Sequence, residues 1–150
     1  MATVWRIMAH WYEPAAALKW AKQNNRVGCG WNVGDVCDHA SVDSIKQAVH
    51  ATGNQNWGVS GKQLWAFCHD IKPGDLVIYR GTGVGEIVAR ITGAYEYDAD
   101  GELGLHNQRK ADILPVDGAR LWRLAGGCAG GFTTRWTVMR CANAVDIDDL

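Results

Sequence analysis

The sequence predicts an α+β fold, a strongly curved β-sheet or small barrel flanked by about three helices. Two observations carry this. Apolar residues recur at helical spacing in the first half of the chain, and after Asp75 the period changes to two. The change falls at Lys72-Pro-Gly-Asp75, where Pro and Gly each occupy a turn position that suits their backbone. The length of 150 residues matches about one domain, taken as 1–150, and 47% hydrophobic with 21% charged residues is a globular balance.

In chain order, Thr3–Ala9 alternates and reads as a strand. Glu13-Pro14 opens a helix that runs to about Asn25, with Pro at an early position where its missing N–H costs nothing. Val27–Trp31 reads as a short strand whose glycines admit close backbone approach. Ser41 caps a second helix carrying Val42, Ile45, Val49 and Thr52 on one face, and Gly53 stops it. Ser60-Gly-Lys-Gln63 has the form of a capping box and is expected to start a third helix bearing Leu64, Phe67 and Cys68. Leu76–Arg80, Gly85–Tyr97, Ile113–Val116, Arg120–Leu124 and Arg135–Cys141 read as strands. The acidic tail, 143–150, is expected to fray.

Several function classes are excluded at this stage. No apolar run approaches the roughly 18 residues of a membrane span, and the start of the chain lacks a secretory pattern. Cysteines at 29, 37, 68, 128 and 141 are odd in number and contain no CxxC pair, which points away from a disulfide framework and toward a reducing cytoplasm. Cys37-Asp-His39 and Cys68-His69 lack the paired spacing of a structural zinc site, so no metal and no cofactor is expected. No Gly-x-Ser-x-Gly is present, and Gly81-Thr-Gly83-Val-Gly85 lies between strands, outside the context of a phosphate loop. A net charge of −1 rules out nucleic-acid binding by bulk charge, so any such binding needs a local patch. The 8 Trp against 2 Phe suggest that flat aromatic faces serve more than packing.

Three segments together resemble the PUA-like superfamily, nearest its EVE and EVE-like branch, with YTH and ASCH domains as more distant relatives. They are Val27-Gly-Cys-Gly-Trp31-Asn-Val-Gly-Asp35, Phe67-Cys-His-Asp-Ile-Lys-Pro-Gly-Asp75-Leu-Val-Ile, and Gly85-Glu-Ile-Val-Ala-Arg-Ile-Thr-Gly93-Ala-Tyr95-Glu-Tyr97. His106-Asn-Gln-Arg109 is similar to a weaker family signature, the His-x-Arg before a strand. At Asp112-Ile113-Leu114 the chain departs from relatives, which often carry an aromatic residue there. The resemblance implies a PUA-like fold and the binding of a modified nucleobase in DNA or RNA. Such domains often act as readers beside an effector.

Base reading requires that the base leave its stack, be covered by aromatic planes and meet fixed donors and acceptors at its edge. The resemblance makes Trp31 the first cage wall, with Tyr95 or Tyr97 as a second. Asn32 offers an amide donor and acceptor for the base edge, and His10 stands where relatives contact that edge. Trp57, in a turn-like stretch, is either a stacking surface or a hinge plug. Trp5, Trp20, Trp65, Trp122 and Trp136 read as packing residues, and core packing is the plain alternative for Trp31 as well. From His106 to Cys141 six basic residues stand against two acidic ones, which marks a candidate phosphate-contacting face. Arg109, Lys110 and Arg135 are its candidates, joined by Arg80 and Lys62.

The leading expectation is a modified-base reader, with a modified cytosine in DNA favoured over RNA and base flipping as the means. A nuclease effector would be another chain. Three alternatives stand beside it. One is an RNA reader of the same fold, and another is a plain protein-interaction domain. The third is a small ASCH-type amidohydrolase acting on modified nucleosides, for which Lys62 and Glu86 are the available pocket residues.

Overall fold

The computed structural model describes residues 1–54, 58–132 and 137–150 in full, and Trp57 by its backbone alone. The chain runs β1 (Val4–Met8), α1 (Pro14–Asn24), β2 (Arg26–Cys29), α2 (Val42–Ala51), α3 (Trp57–Trp65), β3 (Leu76–Gly81), β4 (Gly85–Tyr97), β5 (Asn107–Leu114), α4 (Gly118–Leu124) and β6 (Val138–Arg140). Short 3-10 turns stand at Val36–Asp38, Glu102–Gly104 and Ile147–Asp149, and α3 continues into a π-helical turn, Ala66–Asp70.

The fold is α+β, with one mixed six-stranded sheet in the order β2-β5-β4-β3-β1-β6. β1 and β3 are parallel, and the other neighbours are antiparallel. The period of two sorts side chains onto two faces. Trp5, Ile7, Val77, Tyr79, Ile87, Ala89 and Ile91 join residues of α1, α2 and α3 in the larger core. Val4, Leu76, Ile78 and Val88 meet Leu121 and Ala125 in a smaller core on the other face. The β4–β5 register shifts between Ile91 and Tyr95, an irregularity that bends a strand locally and re-aims the side chains beyond it.

The first strand, the first two helices and the Lys72–Asp75 turn follow the sequence reading. Asp75 closes that turn by accepting from the Lys72 backbone N–H (2.9 Å) and from the Trp5 indole (3.0 Å). Ser41 caps α2 by accepting from the Ser44 N–H at 3.1 Å. The described residues hold four α-helices where about three were expected.

Four readings are corrected. Arg120–Leu124 is helical: the Asp117 carboxylate accepts from the Ala119 N–H at 3.0 Å, and Leu121 and Ala125 bury at i and i+4. Arg120-Leu-Trp-Arg-Leu124 is too short for its apolar spacing to separate the two periods. α3 starts at Trp57, ahead of the Ser60 box, and Ser60 is buried inside the helix. The strand placed at Ile113–Val116 is β5, which begins six residues earlier because its first half buries polar side chains. The tail is docked: Val145 is buried and bridges Ala2, and Arg120 Nη2 donates to the Asp149 carbonyl at 2.8 Å. Arg135 and Trp136 lie outside the described residues.

Candidate functional site

Three loops meet at one end of the sheet. His10, just past β1, binds the Leu103 carbonyl through Nε2 at 2.8 Å. A Cβ on Gly30, past β2, would lie 3.9 Å from the Gly104 carbonyl. The 98–106 loop joins β4 to β5. Trp31 stands among these loops, two residues beyond the end of β2, half-buried against the larger core.

The Trp31 backbone is left-handed, with φ 61°. A bulky L-residue avoids that region because its Cβ crowds the following carbonyl, at about 1–2 kcal/mol. The conformation is imposed by Asn107, which is fully buried on β5. Its Nδ2 donates to the carbonyls of Cys29 (3.3 Å), Gly30 (2.6 Å) and Trp31 (3.2 Å). Its Oδ1 accepts from the Tyr95 hydroxyl at 2.7 Å. Tyr95 in turn accepts from the Val36 N–H at 3.2 Å, and burial pushes its phenol above the usual value. One buried amide and one phenol therefore pin the loop on both sides of Trp31.

Tyr95 and Tyr97, two apart on β4, face the same side of the sheet, because their partners Arg109 and Asn107 on β5 point with Val27 and Cys29. Tyr95 packs on Phe67 edge-on with centroids 6.3 Å apart. Tyr97 reaches the rim, donates to Asn32 Oδ1 at 2.8 Å and stacks on His106 at 6.3 Å. Asn32 is exposed, and its Oδ1 also accepts from the Gly34 N–H at 3.2 Å. His10 Nδ1 accepts from the Tyr12 and Glu13 N–H groups at 3.0 and 2.9 Å, which leaves Nε2 to donate to the Leu103 carbonyl. His10 thus holds two loops together. The structure brings Trp31, Asn32, His10, Tyr95 and Tyr97 to one end of the sheet, and among the described ring contacts none pairs Trp31 with another ring. The Trp57 side chain lies outside the described atoms. Trp11 and Tyr12 add exposed aromatic surface on the His10 loop.

The proposed basic face is corrected. Arg109 is a core residue, 1% exposed, with Nη1 donating to the Phe67 and Ile71 carbonyls at 2.8 Å each and Nε to the Gly93 carbonyl at 3.0 Å. Burial lowers its affinity for the proton, and its donors are committed to closing the π-helical turn. Lys110 points to the opposite face, 3.8 Å from Glu96, which also pairs Arg26 at 2.8 Å. Arg80 is on that face too, its guanidinium 5.0 Å from the Phe132 ring centroid. Arg120 and Arg123 ride on α4. Arg109 therefore does not share a face with Lys110 and Arg80.

A basic site that sequence reading missed lies between α2, α3 and β6. It is a cavity of about 1090 Å³, with Lys46, Lys62, Lys72 and Arg140 on its walls and Asp70 as its carboxylate. α2 and α3 approach closely there because Gly61 has no Cβ; one would meet the Val42 carbonyl at 2.6 Å. The cations come from α2, α3, the turn before β3, and β6, so no local charge run announces them. Trp5, Gln63 and Met139 add to its lining, and Trp31 is not on it.

Lys62, on α3, and Glu86, packed under Gly118 of α4, lie on opposite faces of the sheet, so the structure does not assemble them into one pocket. Among the described residues no group of three or more His, Cys, Asp or Glu side chains has the arrangement to hold a metal. No helix among the described residues is long and apolar enough to cross a membrane.

These features define a mixed-sheet α+β domain whose three convergent loops hold a strained tryptophan over an amide and phenol network. The chain belongs to the family described as Domain of unknown function (DUF8426), whose model matches residues 5–114. That span runs from β1 through β5 and contains Trp31, Asn32, Tyr95, Tyr97 and Asn107. No curated protein matches the chain.

Proposed function

We propose that this protein is a modified-nucleobase reader with a PUA-like, EVE-type domain, and that Trp31 is the wall on which a flipped base stacks. One observation carries the reading: a bulky residue is held in left-handed backbone at a loop junction by a fully buried amide. Such strain persists where surrounding structure over-determines it, and it concentrates at sites of binding.

The resemblance of the Gly30-Trp31 and Tyr95-Glu-Tyr97 segments to EVE domains supports a base as the ligand, a modified cytosine in DNA first and an RNA base second. Asn32 and Tyr97, exposed and joined by one hydrogen bond, supply donors and acceptors for the base edge. The phosphate contacts fall to Lys62 and its neighbours in the basic groove, since Arg109 is interior. The five free thiols support a cytoplasmic setting, and a separate nuclease chain is the effector the resemblance suggests.

Burying one methyl adds only about 0.8 kcal/mol, roughly fourfold, so stronger discrimination needs shape complementarity around the base. The test is titration with matched oligonucleotides carrying one unmodified cytosine, 5-methylcytosine, 5-hydroxymethylcytosine or N6-methyladenine, single- and double-stranded, in DNA and RNA. Tighter binding of one modified form, lost in Trp31→Ala by about 5- to 150-fold, is expected. Equal affinity for all oligonucleotides, or none, overturns the reading.

A further inference from the structure

We propose that Cys37 and Cys68 form a reversible disulfide, a modification site that ties the 31–38 loop to the π-helical turn after α3. Their Sγ atoms stand 3.4 Å apart although the residues are 31 positions apart in sequence. Each thiol is presented by backbone that is fixed independently. On one side, Asp35 Oδ1 accepts from the Cys37 N–H at 2.9 Å, and the Val36 N–H donates to Tyr95. On the other, Arg109 holds the Phe67 and Ile71 carbonyls that flank Cys68. Closing to a disulfide length of about 2.05 Å moves the sulfurs together by roughly 1.4 Å, within the reach of small side-chain rotations.

Access divides the roles. Cys37 is exposed and Cys68 half-buried. Burial and the bond from Cys37 push the Cys68 thiol up to about 12, so Cys37 is the sulfur that reacts first. Its thiolate attacks a low-molecular-weight disulfide, forming a mixed disulfide at Cys37 and releasing one small thiolate. Cys68, on losing its proton, attacks Cys37 Sγ and expels the second small thiolate. The two protein thiols are oxidised, the small disulfide is reduced to two thiols, and the protein's protons pass to those thiols. In a reducing compartment the pair rests as dithiol and closes when the disulfide pool rises. This inference does not depend on the base-reading proposal.

The test is incubation of the intact protein with oxidised glutathione, then alkylation under denaturing conditions and peptide mass mapping. Two of the five thiols are expected to be lost to alkylation, with a Cys37–Cys68 linked peptide that dithiothreitol removes. Cys68→Ser is expected to stop at glutathione on Cys37, and Cys37→Ser to yield no linked peptide. Closure is expected to accelerate as pH rises from 7 to 9, because both steps need a thiolate. Five alkylatable thiols after oxidation, a linked peptide joining other cysteines, or glutathione persisting on wild-type Cys37 would each overturn the proposal.

Discussion

Replacing Trp31 separates its backbone strain from its side-chain contacts. Trp31→Ala removes the indole but keeps a Cβ at φ 61°, whereas Trp31→Gly removes both. Full burial of a Trp is worth about 3–5 kcal/mol on truncation, so a half-buried indole accounts for roughly 2 kcal/mol in both variants. The left-handed penalty of about 1–2 kcal/mol remains only in the alanine variant. Glycine's extra unfolded-state freedom returns up to about 1 kcal/mol of that difference. The net expectation is that Trp31→Gly is more stable than Trp31→Ala by about 1 kcal/mol, a melting difference of roughly 2–4 °C for a chain of this size. Denaturant and thermal unfolding followed by far-UV circular dichroism would measure it, since that signal does not rest on the indoles. Both variants are expected to lose binding to modified DNA equally, because neither offers a stacking face. An alanine variant as stable as the glycine variant would refute the strain argument. A glycine variant that still binds would refute the stacking role.

Other perturbations follow from the geometry. Arg109→Met leaves three carbonyls without their donor, at about 1–3 kcal/mol for each buried acceptor. Urea unfolding is expected to show a loss of several kcal/mol, whereas a fully stable variant that merely binds DNA less tightly would return Arg109 to the surface role. If Lys62 meets a phosphate, Lys62→Ala is expected to flatten the slope of log K against log salt by about 0.9, with Lys110→Ala leaving it unchanged. The reverse pattern would move the DNA face to the other side of the sheet. Burial raises Cys68, Cys141, Tyr79 and Tyr95 above their ordinary 9.0 and 10.0, with Cys68 and Cys141 at about 12. The unfolded chain therefore releases these protons first, so their contribution is intact below about pH 9 and is lost as pH rises from 9 toward 12. Urea titrations from pH 7 to 11 would show a steady fall, and a flat profile would contradict the assignment.

The parts of the fold legible in the sequence are those where apolarity and period agree. β4 keeps the bounds the sequence predicts because a glycine turn precedes it and the Asp98–Gly101 turn follows it. β5 does not, because its opening Asn107, Gln108 and Arg109 are polar and yet buried, with distant carbonyls as partners of Asn107 and Arg109 and the nearby Leu105 carbonyl as that of Gln108. Hydropathy has no means of registering such burial. The same residues explain what was missed at the site. Trp31, Asn32 and the two tyrosines were visible by composition and resemblance. Asn107 sat within a noticed segment whose credit went to Arg109, and its role depends on contacts more than 70 positions away. The Cys37–Cys68 approach is likewise a tertiary event with no spacing to advertise it.

β1 is wholly buried, with one edge on β3 and the other on β6. The Cys141 N–H donates to the Val4 carbonyl, and Ala2 and Val145 bond reciprocally. β1 therefore waits for β6, far later in the chain, before its second edge is covered. During synthesis it can dock on β3, yet it then presents five largely apolar positions beside an open row of N–H and C=O groups. A nascent chain stalled before residue 138 would hold that edge bare, which makes β1 the segment through which partly made copies are expected to pair with one another.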